Sequence, residues 1–193
     1  EEPNAIGLVC VDTSPVMEKA WAQKSGLGWI GKHTNLITRN FGSWVFLGEV
    51  LINLELEPDL PFLEDLCGSC TACLDACPTQ AFPKPYILDS SKCISYLTIE
   101  HRGPFQNQSK LSDWIYGCDI CQEVCPWNIK FSTISNEKSF QPRKNLQGRS
   151  IEEWSLLTEE QFIKGKEKLL GTEGTSEVAK TQEEFEPSDT ADD

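Results

Sequence analysis

Cys67-Gly68-Ser69-Cys70-Thr71-Ala72-Cys73-Leu74-Asp75-Ala76-Cys77-Pro78 spaces four thiols two, two and three residues apart and closes on a proline. This is the run of bacterial ferredoxins. Three close thiolates wrap three corners of a 4Fe–4S cubane, and the fourth crosses to a second cluster. A second run, Cys118-x2-Cys121-x3-Cys125-Pro126, lacks one cysteine of that pattern, and Cys93 lies between the two. With Cys93 as the missing thiolate, two sites close. Cys67, Cys70, Cys73 and the crossing Cys125 form one; Cys77, Cys93, Cys118 and Cys121 form the other. Two zinc sites of four thiolates would use the same eight cysteines, although zinc sites commonly pair CxxC knuckles without a CxxxCP exit. Zinc stays the competing reading here. Disulfides need an oxidising compartment, and the opening EEPNAIG lacks the basic stretch of a secretory signal. The ninth cysteine, Cys10, falls in an apolar run and reads as a small buried hydrophobe.

The rest of the chain is read outward from this centre. Its 193 residues suffice for one large domain or two small ones. The net charge of −13 speaks against nucleic acid as a partner, but it is uneven. From Glu167 to Asp193 nine acids face only Lys168 and Lys180. Residues 171–193 are acidic and poor in large apolar side chains, so a disordered tail is expected. No apolar run is long enough to span a bilayer. These features predict a soluble, cytoplasmic protein with reduced thiols. The missing initiator Met, and an apolar run so near the start, predict that an N-terminal part precedes this chain.

Residues 5–12 predict a buried strand ending at Asp12. Ser14-Pro15 reads as N-cap and first position of a helix over 16–24, with Gly26 just beyond its end. Gly26-Leu27-Gly28-Trp29-Ile30-Gly31-Lys32 predicts a loop where backbone closely approaches another chain segment or a ligand. Alternating apolar residues predict a strand within 43–56. Pro58 and Pro61 mark a break before the cysteine-bearing part. Residues 151–165 predict one amphipathic helix or two short ones, with Thr158 and Gln161 as a capping box. The class expected is α+β, divided into 1–60, 61–135, 136–170 and 171–193.

Five segments together resemble the epoxyqueuosine reductase family. They are Val11-Asp12-Thr13-Ser14-Pro15-Val16, Gly26 to Lys32, Cys67 to Thr79, Cys93 to Glu100, and Gly117 to Asn128. The resemblance runs from about residue 8 to about residue 162. It implies a cobalamin-dependent enzyme that reduces epoxyqueuosine to queuosine in tRNA, with electrons passing through two 4Fe–4S clusters. Residues 1–60 would be the C-terminal part of a nitroreductase-like cobalamin domain, followed by a ferredoxin-like domain and a helical extension. Asp12 occupies the position of the family's proton donor, and burial is expected to raise its pKa. Without the resemblance, Asp12 reads as a carboxylate at a helix start. Corrin contacts are expected from Lys32, Asn35, Leu36, Leu47, Ser95 and Thr98. His33 and His101 are read as surface histidines, not cobalt ligands. The implied partners are tRNA carrying epoxyqueuosine and a low-potential donor of the flavodoxin or ferredoxin type, acting on a monomer away from any membrane. Two alternatives stand beside this: a non-catalytic two-cluster electron carrier, and a reductive dehalogenase-like cobalamin enzyme.

Overall fold

The computed structural model describes residues 4–12, 14–103, 111, 114–141, 150–158 and 160–161. The chain divides into two compact units, Glu1–Phe140 and Gln141–Asp193. The first mixes short strands and short helices, as the α+β expectation requires. Strand β1 (Gly7–Cys10) is followed by helix α1 (Glu18–Lys24), then strands β2 (Trp29–Ile30), β3 (Leu36–Ile37) and β4 (Glu49–Ile52). The cysteine-bearing part carries α2 (Ala72–Asp75), α3 (Ile94–Ile99), α4 (Ile120–Glu123) and α5 (Pro126–Phe131).

Strands β1 and β4 pair antiparallel, Leu8 opposite Leu51 and Val9 opposite Val50. The expected buried strand is corrected here. Leu8 and Val9 are 62% and 68% exposed, and only Cys10 is buried. A two-stranded ribbon has two faces, and among the described residues no layer covers either. Cys10, at its end, is the small buried hydrophobe expected. Helix α1 starts two residues later than expected, at Glu18, with Met17 as its N-cap and no side-chain cap. The Val16 N–H turns back to the Ser14 carbonyl at 2.8 Å, so the chain is still in a tight turn where the helix was expected to begin. Gly26, with φ of 75°, takes the position beyond the helix end as expected.

The glycine-rich segment is one arm of the β2–β3 hairpin, in which Trp29 faces Ile37 and Ile30 faces Leu36. A Cβ on Gly28 would lie 2.0 Å from the Ile37 carbonyl oxygen. The close approach is therefore to another segment of the chain. Trp29, 1% exposed, forms the core with Ile37 and Cys125, flanked by Phe62, Leu66, Cys67 and Trp127. Its ring stacks on Phe62 at 5.5 Å and meets Trp127 edge-on at 4.8 Å, geometries that add to plain area burial. The core thus joins residues on both sides of Pro58 and Pro61.

A buried amide network fastens the same two parts. Asn128 accepts from the Ser43 N–H at 2.6 Å and donates to Ser43 Oγ and the Gln122 carbonyl, both at 2.8 Å. Gly42 leaves room for it: a Cβ there would lie 2.0 Å from Asn128 Oδ1.

In the second unit, α6 (Ile151–Ser155) opens on a capping box of Ser150 and Glu153. Thr158 and Gln161 form the second box as expected, their N–H groups reaching each other's side-chain oxygens at 3.0 and 3.2 Å. The two boxes mark two helix starts rather than one long helix. The expected tail at 171–193 lies outside the described residues.

Candidate metal centre

The cysteines reach their places through short turns rather than long elements. Cys67 and Cys70 are joined by a turn in which the Cys70 N–H donates to the Cys67 carbonyl at 3.1 Å. Cys73 rides on α2, Cys121 on α4, and Cys125, just beyond the end of α4, is the N-cap of α5, whose first residue is Pro126. Proline fits there because the first helical N–H has no partner in any case. Cys93 precedes α3. Thr98 of that helix accepts from the Gly117 N–H at 2.9 Å, which draws the Cys118 turn toward Cys93.

Cys67, Cys70, Cys73 and Cys125 line one cavity of about 170 Å3, together with Lys32, His33, Ile37, Leu66, Pro126 and Trp127. These four are the first site expected from spacing, including the crossing ligand. Burial pushes the Cys73 thiol up to about 11, and the thiols of Cys125, Cys67 and Cys70 add to the shift. Burial pushes Cys121 up to about 12, with further contributions from Cys118, Cys73, Cys93 and Cys77. Cys118 is raised by burial, partly offset by the Ile120 N–H, with Cys93, Asp119 and Cys77 adding to it. The thiols thus interact in two groups that meet at Cys73 and Cys121. Thiols so hard to ionise give up their protons when a metal binds.

Four thiols spread around a cavity suit a polynuclear cluster. The surroundings suit sulphur of high electron density: Trp29 Nε1 donates to Cys67 Sγ at 3.5 Å, and the Ala81 N–H to Cys77 Sγ at 3.3 Å.

Two side chains beside the cavity were not recognised as part of it. Lys32 is 8% exposed, and its Nζ donates to the carbonyls of Gly68 and Cys70 at 2.6 and 2.8 Å. It faces the cysteine run. His33 is 3% exposed, not a surface residue. Burial lowers its pKa to about 4, against a raising backbone hydrogen bond, with Lys19 lowering it further. Its Nδ1 accepts from the Asn35 N–H at 3.2 Å, and its Nε2 is buried without a partner.

The other expected corrin contacts do not assemble around this cavity. Leu36 is 2% exposed and belongs to the hairpin. Thr98 Oγ1 donates to the Ile94 carbonyl at 2.8 Å and accepts from Gly117. Asn35, Leu47 and Ser95 are half-buried. Asp12 is exposed and sits at φ of 55° just after β1. The burial expected around it is absent because nothing described covers the ribbon. It does not cap α1 either, whose N-cap is Met17.

Fold and centre define a class: an α+β protein built around a two-cluster iron–sulphur region. A sequence-family model described as a 4Fe-4S double cluster binding domain matches residues 66–128. The particular likeness is to epoxyqueuosine reductase. The Cellulophaga algicola protein of that name is 51% identical over 160 residues, covering 82% of this chain and 52% of the relative. A crystal structure of epoxyqueuosine reductase with an epoxyqueuosine-modified tRNA-Tyr stem loop has a TM-score of 0.74 at 34% identity, over 83% of this chain and 43% of that one. The Bacillus subtilis enzyme, with its catalytic aspartate loop swung out of the active site, has a TM-score of 0.62 at 38% identity, over 69% of this chain and 35% of that one. The chain therefore resembles epoxyqueuosine reductase over some four fifths of its length, and spans about half the length of the curated relatives it matches.

Proposed function

We propose that this chain is the electron-delivering part of an epoxyqueuosine reductase, which reduces the epoxide of epoxyqueuosine in tRNA to the alkene of queuosine. The observation that carries this is the cavity drawing Cys67, Cys70 and Cys73 from one motif and Cys125 from the other. Ligands that cross in this way hold two clusters close together, and that closeness makes a path for single electrons. The reaction consumes two electrons and two protons and releases the oxygen as water. A low-potential flavodoxin- or ferredoxin-type donor supplies the electrons. Cobalamin, implied by the resemblance, supplies when bound a metal centre that can be reduced far enough to act on the epoxide. Of this chain's residues, Lys32, Asn35, Leu36, Leu47, Ser95 and Thr98 are the ones the resemblance sets against it. The reading takes 1–60 as the end of a catalytic domain and 61–135 as the cluster domain. It places the protein in the cytoplasm as a monomer; no helix among the described residues is long and apolar enough to cross a membrane.

In this reading Asp12 delivers a proton to the leaving oxygen. Its exposure and its left-handed backbone suit a loop that closes over the substrate, as the displaced loop of the Bacillus subtilis enzyme suggests by analogy. General acid catalysis typically contributes about 10²–10⁴-fold. The substitution corresponding to Asp12→Asn, made in a full-length relative, is expected to keep clusters and tRNA affinity and lose conversion by that order. Nucleoside mass spectrometry of epoxyqueuosine-containing tRNA reads the result. Wild-type conversion by the variant would remove Asp12 from the reaction. Full-length protein that holds its clusters and converts nothing would favour the plain electron carrier.

A further inference from the structure

We propose that Lys32 and His33 raise the reduction potential of the cluster held by Cys67, Cys70, Cys73 and Cys125, making it the one at which electrons collect. The proposal rests on the two-cluster reading above and adds a direction to the path. A 4Fe–4S cube on four thiolates carries a charge of about −2 when oxidised and −3 after taking one electron from the external donor. Whatever favours the extra negative charge in a poorly solvated site raises the potential.

Three groups beside this site do so. Lys32 is buried, yet forms no ion pair within 4 Å among the described residues; its Nζ bonds only carbonyls of the cysteine run. A buried ammonium is costly unless an anion compensates it, and a thiolate-bound cluster is such an anion. His33 accepts at Nδ1, so a neutral ring carries its proton on Nε2. That N–H is buried and unpartnered in a residue lining the same cavity. A cluster held in that cavity supplies the acceptor the ring lacks. Trp29 Nε1 already donates to Cys67 Sγ.

Among the described residues, the second group of cysteines has weaker support. Cys77 Sγ meets the Ala81 N–H and the Thr79 hydroxyl, at 3.3 and 3.6 Å. Lys92, next to Cys93, is half-exposed and bound to Asp89 at 3.3 Å, so water and its partner screen it. Among the described residues, Asp65 opposes the effect at the first site: it accepts from the Cys67 N–H at 2.9 Å and lies within electrostatic reach of Lys32, but it is exposed and also bound by the Tyr86 hydroxyl. The balance favours the Lys32 side, and electrons run from the Cys77, Cys93, Cys118, Cys121 cluster toward it.

A redox titration of the reconstituted 193-residue chain with dithionite, followed by electron paramagnetic resonance, tests this. Two one-electron midpoints are expected. Lys32→Met should move the more positive one downward by at least a tenfold change in equilibrium, about 59 mV for one electron, leaving the other in place. His33→Leu should move the same midpoint the same way, and His33→Gln, which keeps an N–H, should restore it. Iron and sulphide are measured on every sample. Should Lys32→Met fail to hold its clusters, the His33 pair decides by the same criteria. Unchanged midpoints in cluster-replete variants, equal shifts of both, or movement of the lower midpoint alone would overturn the proposal. A wild-type chain that takes up no iron would instead sink the two-cluster reading.

Discussion

Asn128 and Lys32 are polar side chains that the fold buries to hold its two halves together, and neither use is written in local sequence. Asn128 sits 85 residues from the Ser43 amide it accepts from, and Lys32 lies 38 from the Cys70 carbonyl it donates to. Such contacts exist only once the chain has folded, so residue type and spacing do not reveal them. The cysteines were legible for the opposite reason. A rigid cluster fixes the gaps between its ligands, and those gaps are local. Asp12 was legible in position but not in environment, because exposure depends on what else covers it. The Asn128 network gives a prediction at this scale. Asn128→Ala leaves the buried Ser43 N–H unpaired, which should cost about 2–3 kcal/mol. Thermal bleaching of the reconstituted clusters should then begin several degrees lower. An unchanged bleaching temperature would show that Asn128 is not the tie.

The two hairpin-like pairings have unequal support. In β2–β3, Trp29, Leu36 and Ile37 are all at most 2% exposed, and Trp29 and Ile37 pack into the core that includes Cys125. In β1–β4, Leu8, Val9, Val50 and Leu51 are all more than half exposed. A two-stranded ribbon without a packed face is marginal in water. Amide hydrogen exchange should therefore run far faster in Gly7–Cys10 and Glu49–Ile52 than in Trp29–Ile30 and Leu36–Ile37. Equal protection would mean that the ribbon is covered. The sequence pattern told strands from helices here, but it could not separate strands that are covered from strands that are not. An apolar run such as Ile6 to Val11 announces that burial is favourable and says nothing about what supplies it. The glycine segment shows the same limit. Gly28 signalled a close approach, and only the fold reveals that Ile37, not a ligand, is what approaches.

Across the whole molecule, a core and a metal centre coincide. Cys125 belongs to the hydrophobic cluster and to the cavity wall alike, and Cys67 lies against both. Filling the site should therefore stabilise the fold as well as equip it for electron transfer, since groups that bind only the native state add their binding free energy to it. The measurement that bears most directly on this account is metal analysis of the chain reconstituted without oxygen. It should contain about eight irons and eight acid-labile sulphides, as two four-iron cubanes require. Cys93→Ala should lose about half of each, and Cys10→Ala none. Stoichiometric zinc without sulphide, or an unchanged iron content in Cys93→Ala, would contradict it.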